Sequence, residues 1–282
     1  MRILSDISQE RDTMSVVTSL TGVLERITSL RIAQIRNQVL ASQQFFAALW
    51  QIYSQIRVGK LFHLGHGRGV KVIKKELLIL ITSEGGLSGD IDRRLINQAL
   101  QYYRPAKHDI VVVGSRAAAQ LSELRVAFVK SFKMPVKETH INVAPLVELV
   151  QRYDSAMVFY QAYASLSSLS VKQIQLNAAV AEMGKNVKPG DDLITEASYI
   201  FEPSTFAVID HLERSMLQIA LSQVVLDSKL TQYASRFTAM HEAHDRAEES
   251  LSDLNFLFAR AQRHLKDERL KEVINGLRKS GL

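Results

Sequence analysis

The chain has 282 residues, an apolar fraction of 46%, a formal net charge of +6 and no cysteine. This apolar fraction excludes a disordered chain, and the lack of cysteine excludes a disulfide framework and a thiolate metal site. No long apolar run occurs, and acidic residues follow soon after the N-terminus, so we expect neither a membrane span nor a cleaved signal segment.

The N-terminal part predicts a long amphipathic helix, because residues 1–104 contain no proline and apolar residues recur three and four positions apart. The predicted seam comprises Ile32, Ile35, Val39, Ser42, Phe46, Leu49, Tyr53 and Ile56. In front of it, in a shifted register, the predicted contacts are Val17, Leu20, Leu24 and Ile27. The helix is expected to end near Arg57, before Gly59.

A basic segment follows this helix. It contains Arg57, Lys60, Arg68, Lys71, Lys74 and Lys75, with no acidic residue before Glu76. Either it is a solvated linker, or it contacts an acidic surface or lipid headgroups. Nucleic acid fits less well, since Phe62 is its only aromatic residue. His63 and His66 also lie here, but they have no further ligand nearby, so a metal site is not expected.

The middle of the chain has the pattern of a small α/β domain, read from Lys71 to about Tyr199. Short apolar runs bounded by turn residues predict strands at Glu76–Thr82, Asp109–Gly114, Ser155–Tyr163 and Ser170–Leu176. Between them, helices are predicted over IDRRLINQALQYY and over Ala117–Lys130 and Ala144–Tyr153. The first two strands and the helix between them form a predicted strand-helix-strand unit.

A glycine-rich turn, ITSEGGLSGDID, joins the first strand to its helix and raises the question of phosphate binding. Gly89 is followed by Asp90 instead of the lysine of a Walker loop, and Gly85, Gly86 and Gly89 do not make a dinucleotide pattern. We therefore expect a structural turn in which the glycines permit positive φ and close packing. Asp90 or Asp92 is predicted as the helix N-cap.

Residues 204–275 contain neither proline nor glycine and predict one very long helix, preceded by Pro203 and followed by Gly276. Its seam comprises Leu230, Tyr233, Phe237, Met240, His244, Ala247, Leu251, Leu254, Phe258, Ala261 and Leu265. After Leu265 the register slips. The two terminal helices are expected to pair antiparallel, because the ends of the domain between them should lie close together.

HEAH, at His241–His244, is not the HExxH zinc motif, because its histidines are three positions apart instead of four. We expect His244 to pack within the coil. The acidic pairs Asp191–Asp192 and Glu248–Glu249 have no visible acid-base partner. No catalytic constellation is predicted.

Four segments share residues and order with one known family. The turn is similar to I-T-S-D-R-G-L-C-G-G, YIFEP at Tyr199–Pro203 to Y-x-F-E-P, and ERLKEVINGL to E-L-x-E-I-x-x-G-A. The long helix is similar to A-R-M-x-A-M-x-x-A-x-x-N-A at Ala234, Arg236, Ala239, Met240, Ala243 and Ala247. The chain therefore resembles the gamma subunit of F-type ATP synthases.

This resemblance implies an α/β fold, with a long antiparallel coiled coil of the N- and C-terminal helices and an inserted small Rossmann-like α/β domain. The expected domains are residues 1–58, 59–202 and 203–282. The implied function is that of a central rotor shaft, which couples ion flow through a membrane ring to ATP synthesis or hydrolysis in a catalytic hexamer. No catalytic residue, cofactor, metal or small-molecule substrate of its own is implied.

The implied partners are the alpha and beta subunits of the hexamer, the epsilon subunit and the membrane c-ring. The protein would be peripheral, at the cytoplasmic face of the plasma membrane. Residues expected to contact other subunits are Thr21, Arg260, Gln262, Arg263, Lys266 and Arg269.

Some positions depart from the family pattern. Ser19 replaces a lysine, Gln262 and Arg263 invert an arginine-glutamine pair, and the segment Val58–Lys75 is short. These departures favour a divergent branch, with a sodium-coupled ATPase as one candidate, and leave the coupling ion and the direction of catalysis open. The alternatives are a coiled-coil scaffold unconnected with ATP, which would form stable homo-oligomers, and a nucleic-acid-binding module, which would bind DNA or RNA salt-dependently.

Overall fold

Two long terminal helices enclose an alternating α/β segment in chain order. The computed structural model describes residues 4–55, 72–87, 89–135, 141–165, 168–176, 178–180, 200 and 202–279. The elements are helix α1 (Leu4–Gln55), strand β1 (Ile73–Ile81), helix α2 (Ile91–Tyr102), strand β2 (His108–Val113), helix α3 (Ser115–Glu123), strand β3 (Lys130–Phe132), helix α4 (Ala144–Val150), strand β4 (Tyr153–Ser165), strand β5 (Ser168–Gln175) and helix α5 (Thr205–Lys279). The long helices have 52 and 75 residues.

The described strands form one five-stranded sheet in the order β3-β2-β1-β4-β5. β1 pairs in parallel with β2 and β4, β2 pairs in parallel with β3, and β5 runs antiparallel to β4. The chain moves outward from β1 to β3 and then returns to place β4 on the other side of β1. This reversal is the topology of a Rossmann-like sheet, so the predicted fold class is confirmed.

Side chains of β1 are buried on both faces of the sheet. Ile79 belongs to an apolar cluster with Phe46 of α1 and Leu217 of α5. Its neighbour Leu80 belongs to a second cluster, which includes Leu95 of α2. A parallel strand covered on both faces is a continuous apolar run without alternation, which explains the sequence ELLILIT.

Contacts divide the chain into two compact units. The first, which we call the coil unit, consists of Met1–Thr28 and Phe237–Leu282; the second, the sheet unit, is Ser29–Arg236. Each unit therefore contains part of α1 and part of α5. The three domains expected from the sequence follow chain order instead of contacts, and their boundaries stay a prediction.

In the coil unit, α1 and α5 run antiparallel. The guanidinium carbon of Arg11 lies 4.5 Å from the ring centroid of Phe258, and Glu25 Oε1 lies 3.1 Å from His241 Nδ1. Residues later in α1 thus meet residues earlier in α5, as predicted.

The sheet unit holds its own segments of the two helices antiparallel as well. Tyr53 donates a hydrogen bond to Glu213 at 3.1 Å, and Ile35 packs in a cluster with Leu230. Burial, with the negative charge of Glu213 next in importance, raises the pKa of the Tyr53 hydroxyl well above its usual value. The hydroxyl therefore stays protonated and keeps donating to Glu213.

The seam of α1 in the coil unit differs from the prediction. The predicted residues Val17, Leu20 and Ile27 are 38%, 57% and 48% exposed, whereas Thr21 and Thr28 are 8% and 2% exposed. Leu24 is only partly buried. A continuous helix keeps its phase, so the register of the later seam continues through the threonines without a shift. The prediction placed the apolar residues of this segment in the seam, and it was wrong.

The seam of α5 lies where the sequence places it. Met240 and Ala247 are 6% and 4% exposed, and Leu254 and Ala261 are partly buried. Leu265 is already 37% exposed. The seam therefore ends after Ala261, close to the predicted register slip.

Helix α3 is shorter than the helix predicted over Ala117–Lys130. It ends at Glu123, and Arg125 has a φ of 56°, in the left-handed region that does not continue a helix. Lys130 instead starts β3, where it pairs with Val111. Sheet pairing therefore overrides the helical pattern at this point.

Strands β1 and β4 both begin earlier than predicted. The helix expected over Ala144–Tyr153 ends at Val150, and Tyr153 is the first residue of β4. β1 begins at Ile73, whose N–H donates to the Arg152 carbonyl at 2.8 Å. Both strands start earlier because β1 pairs with β4. The periodicity of the sequence carries no information about this pairing.

Gly276 lies near the C-terminal end of α5, as the sequence indicates, and the helix reaches Lys279. Among the described residues, apart from the backbone of its own helix, no heavy atom lies within 4 Å of the position that a Cβ on Gly276 would occupy. The glycine is thus an exposed helical residue and not a cap.

Some expectations fall outside the described residues. These are the helix end near Arg57, the basic segment as far as Lys71, His63 and His66, and the pair Asp191–Asp192.

Candidate functional site: the sheet edge and the terminal helices

The carboxyl edge of the sheet at β1 and β4 is the position where Rossmann-like sheets bind ligands, because the strand order reverses there. In this chain the position is filled by a polar cluster from the sheet unit itself. We call it the edge cluster; its members are Ser83, Asp92, Gln161, Ser228 and Thr231, all buried.

The carboxylate of Asp92 is the anion that the glycine-rich turn holds. The Ser83 N–H donates to Asp92 Oδ1 at 3.1 Å, and the Ser83 hydroxyl donates to Oδ2 at 2.6 Å. The side-chain amide of Gln161 donates to Oδ1 at 2.5 Å. The turn therefore binds a carboxylate of its own chain where a nucleotide-binding loop would hold a phosphate.

Of the two residues predicted as the N-cap of α2, Asp90 is the N-cap and Asp92 is not. The side chain of Asp90 makes no capping hydrogen bond. Its Oδ2 instead lies 3.3 Å from Arg94 Nε. Asp92 lies inside the first turn and points into the edge cluster. Tertiary bonds to Ser83 and Gln161 compete with the local cap and prevail.

Helix α5 enters the edge cluster through two hydroxyl groups. Ser228 donates to the side-chain oxygen of Gln161 at 3.0 Å, and Thr231 donates to its backbone carbonyl at 3.1 Å. Gln232 in turn donates to Ser228 at 3.1 Å. These bonds satisfy buried polar groups that would otherwise destabilise the fold, and they attach the long helix directly to the sheet.

Asp227 lies beside this attachment on α5. Burial raises the pKa of its carboxyl to about 6, while the charge of Lys172 and a hydrogen bond from Gln223 oppose the change. The folded sheet unit therefore disfavours the ionised form of Asp227 relative to an aspartate in water.

The three predicted turn glycines have different surroundings. Gly89 has a φ of +64°, and a Cβ there would lie 3.4 Å from Ser235 Oγ. A Cβ at Gly85 would lie 3.7 Å from Arg236 Nη2, and one at Gly86 would meet no atom of the described residues within 4 Å. The positive-φ requirement thus applies to Gly89 alone among these three.

A polar layer forms part of the coil seam. His244 Nδ1 lies 3.0 Å from the Thr18 carbonyl oxygen and 3.2 Å from the Thr21 hydroxyl. Its ring packs so closely on Gly22 that a Cβ there would lie 3.2 Å from His244 Cε1. The prediction of a histidine packed within the coil is confirmed.

The residues predicted to contact other subunits fall into two environments. Thr21 is 8% exposed and faces His244 within the chain. The others are exposed on α5, namely Arg260, Gln262, Arg263, Lys266 and Arg269. A second chain can reach this second group without opening the coil. The contacts themselves stay a prediction.

Within the described ranges, no group of three or more His, Asp or Glu side chains is placed to hold a metal ion. No helix in the same part of the chain is long and apolar enough to cross a membrane.

Sequence reasoning missed most of the edge cluster. Gln161 interrupts the apolar run SAMVFYQAY, and a polar residue in the middle of a buried strand is a signal that could have been used. Ser228 and Thr231 gave no such signal, because small polar residues are common on helix surfaces.

A long antiparallel helix pair and a small Rossmann-like sheet in one chain define a stalk-type protein. Solved structures that share this fold include two from a mitochondrial ATP synthase. One belongs to the Euglena gracilis mitochondrial ATP synthase OSCP/F1/c-ring assembly, with a TM-score of 0.64, 14% identity and coverage of 97% of this chain and 94% of that chain. The other belongs to the rotor of the same enzyme, with a TM-score of 0.60, 16% identity and coverage of 93% and 99%.

A family model described as ATP synthase matches residues 4–278, and the chain belongs to this family. Similar curated proteins include the ATP synthase gamma chains of Chlorobium phaeobacteroides strain BS1, 24% identical, and Geobacter sp. strain M21, 21% identical; each match covers 98% of both chains. The resemblance stated from the sequence motifs is confirmed. The low identity over nearly the whole length agrees with a divergent member, and a scaffold unconnected with ATP is not favoured.

Proposed function

We infer that the chain is the gamma subunit of an F-type ATP synthase or ATPase. As the central rotor shaft, it couples ion flow through a membrane ring to ATP synthesis or hydrolysis in the surrounding catalytic subunits. The observation that carries this inference is the exposure of apolar side chains at the end of α5. Beyond Ala261 its apolar side chains are exposed, with Leu270 at 62% and Val273 at 60%. These residues have the spacing of a helix face that another protein covers.

The attachment of α5 to the sheet supports a mechanical role. In the sheet unit, Gln161 accepts bonds from Ser228 and Thr231, and Leu217 packs in the core with Ile79. Rotation of this segment of α5 against the sheet would break buried hydrogen bonds and apolar contacts together. A helix held in this way transmits torque instead of turning freely.

The coil unit has a second apolar face that this function would use. On α1, Val16, Leu20 and Val23 are 66%, 57% and 52% exposed and follow the spacing of a helix face. We propose that the alpha and beta subunits of the catalytic hexamer cover this face and the end of α5. The basic residues Arg260 and Arg263 would meet acidic groups there, so assembly should weaken as salt increases.

The remaining partners in this proposal are the epsilon subunit and the membrane c-ring. The protein would then be peripheral to the membrane, at the cytoplasmic face of the plasma membrane, and held there through the complex. It would contribute no catalytic residue.

The test is reconstitution with the alpha and beta subunits of the same organism. The variant Leu270→Ser/Val273→Ser removes the apolar face, and we expect weaker assembly and lower ATP hydrolysis by the complex. Lys271→Ser, an exposed neighbour on the same turns, is the matched control and should assemble normally. Unchanged assembly and hydrolysis in the double variant would contradict the proposed position of the tail, and failure of the parent chain to assemble would contradict the proposed function.

A further inference from the structure

Asn275 and Gly276 are neighbours near the end of α5, and no other asparagine in the sequence precedes a glycine. The order of the two residues matters, because the backbone nitrogen of the second can attack the side-chain amide carbon of the first. A glycine gives this nitrogen the freest approach, since it has no side chain and adopts the widest range of backbone angles. The pair is therefore a candidate site of chemical modification.

The helix opposes this attack as long as it is intact. In an α-helix the Gly276 N–H donates to the carbonyl four residues earlier, at Glu272, and is not free to react. The reaction therefore requires the helix to open locally. The ease of this opening depends on what supports the end of α5.

The end of α5 has little support from the rest of the coil unit. The seam ends after Ala261, and every described residue from 262 to 278 is exposed. Most of the stability of a protein helix comes from the packing of one face, so this part of α5 is held mainly by its own hydrogen bonds. The helix ends at Lys279, which places Gly276 in the last turn, where helices open at almost no cost.

Gly276 weakens this last turn further. In a helix interior glycine is less favourable than any residue except proline, because it loses the most conformational freedom on folding. Apart from its chain neighbours and the backbone of its own helix, no described atom lies within 4 Å of the position that a Cβ on Gly276 would occupy. Asn275 is itself exposed, so water reaches the pair.

We propose that Asn275 is a site of spontaneous deamidation. The Gly276 nitrogen forms a bond to the side-chain carbonyl carbon of Asn275, the bond from that carbon to the amide nitrogen breaks, and ammonia leaves with the proton of the attacking nitrogen. Water then opens the five-membered imide ring at one of its two carbonyls, which gives aspartate or isoaspartate. Water is the only co-reactant, and no atom is oxidised or reduced.

The product alters the exposed apolar face at the end of α5. A carboxylate replaces a neutral amide directly after Ile274, which is 44% exposed. Isoaspartate also adds a methylene group to the backbone, which disrupts the hydrogen bonds of the last turn. The reaction itself takes place in the isolated chain and does not depend on assembly into a rotor.

The experiment follows the full-length chain during incubation in mildly alkaline buffer. Trypsin cleaves after Lys271 and Arg278, so Asn275 is recovered in the peptide EVINGLR. Mass spectrometry measures the deamidated fraction of this peptide, and isoaspartate methyltransferase labels the isomer. We expect the fraction to rise with time, while Asn255, which is exposed on the same helix but precedes Phe256, stays intact. Deamidation of Asn275 as slow as that of Asn255 would overturn the proposal.

Two variants separate the effect of the residue pair from that of the helix end. Gly276→Ala hinders the attacking nitrogen and should reduce the deamidated fraction to that of Asn255. Phe256→Gly places a glycine after Asn255, within the seam, where the guanidinium carbon of Arg11 lies 4.5 Å from the Phe258 ring centroid. Because α1 supports the helix there, Asn255 in this variant should deamidate much more slowly than Asn275. Equal rates at the two sites would overturn the role of the helix end.

Amide hydrogen exchange of the parent chain measures the opening independently of the chemistry. The Gly276 N–H should exchange much faster than the Phe256 N–H, because the seam supports α5 around Phe256 and not around Gly276. Equal protection of the two amides would contradict the proposed opening of the last turn, even in a chain that deamidates.

Discussion

The sheet unit and the coil unit bury α5 to very different extents. In the sheet unit Met216, Leu217 and Ala220 are fully buried, and polar groups such as Ser228 are buried and bonded as well. Among the described residues of α5 in the coil unit, one stripe is covered, with Met240 and Ala247 as its most buried members. The same helix thus serves as core in one unit and as a two-helix seam in the other. Stability should therefore be concentrated in the sheet unit, which leaves the surface of the coil unit for other chains.

The largest effect is expected at Gly114 in the sheet unit. Its φ is +102°, and a Cβ there would lie 2.1 Å from the Thr82 carbonyl oxygen. Gly114→Ala should lower the free energy of unfolding by about 3 kcal/mol or more, because backbone strain and overlap add. Urea unfolding measures this. Gly86→Ala, where the added Cβ meets no atom of the described residues within 4 Å, is the control and should change the free energy of unfolding little. Similar losses in both would mean that the strand end is not tightly packed.

A pH-dependent effect is expected from Asp227, also in the sheet unit. Burial raises its pKa from 3.8 to about 6, so the folded state holds a proton that the unfolded state releases near pH 4. Stability should therefore fall as pH rises from about 4 to about 6, and the full difference is up to about 3 kcal/mol at 1.4 kcal/mol per tenfold change in proton affinity.

Asp227→Asn tests this contribution, since the amide does not ionise. The variant should be more stable than the parent above pH 6, and the two should converge near pH 4. Urea unfolding at several pH values measures the difference. Parallel pH profiles would show that Asp227 is not the group responsible.

The seam of the coil unit predicts a smaller effect. Met240 is 6% exposed, and Met240→Ala should cost about 2 kcal/mol. Leu20, which is 57% exposed, provides the comparison, since Leu20→Ala should change stability by less than about 0.5 kcal/mol. Thermal unfolding of the two variants is the measurement. The result for Leu20→Ala distinguishes the observed register of α1 from the register that its apolar residues suggest, and Met240→Ala shows the effect of a true seam position. A larger loss at Leu20 would support the shifted register.

The smallest effect is expected at the end of α5. Removal of residues 275–282 should leave the melting temperature of the isolated chain almost unchanged, because this segment lies beyond the seam and its described side chains are exposed. The same deletion should weaken assembly or torque in the reconstituted complex. A truncated chain that unfolds clearly earlier by itself would mean that the tail packs internally.

Sequence alone determined the two long helices, the α/β segment and the family. Residues 204–275 lack proline and glycine, so the sequence predicts an uninterrupted helix. Met240 and Ala247 fall on a stripe with heptad spacing, and the geometry of a helix places such residues on one buried face. The motifs around the glycine-rich turn were enough to recognise the family, because a motif can be identified without knowing which residues the turn contacts. The limits of α3 and β4 were less well predicted, since strand pairing sets them.

Only the tertiary structure decided how polar residues are used. Asp92 could cap α2 or turn inward, and the outcome depends on Ser83 and on Gln161, a residue far away in the sequence. Thr21 and Thr28 lie in the seam while Leu20 is exposed, because the phase of a continuous helix outweighs the hydrophobicity of single residues. The edge cluster joins Gln161 of β4 to Ser228 of α5, and no local pattern connects residues that only folding brings together.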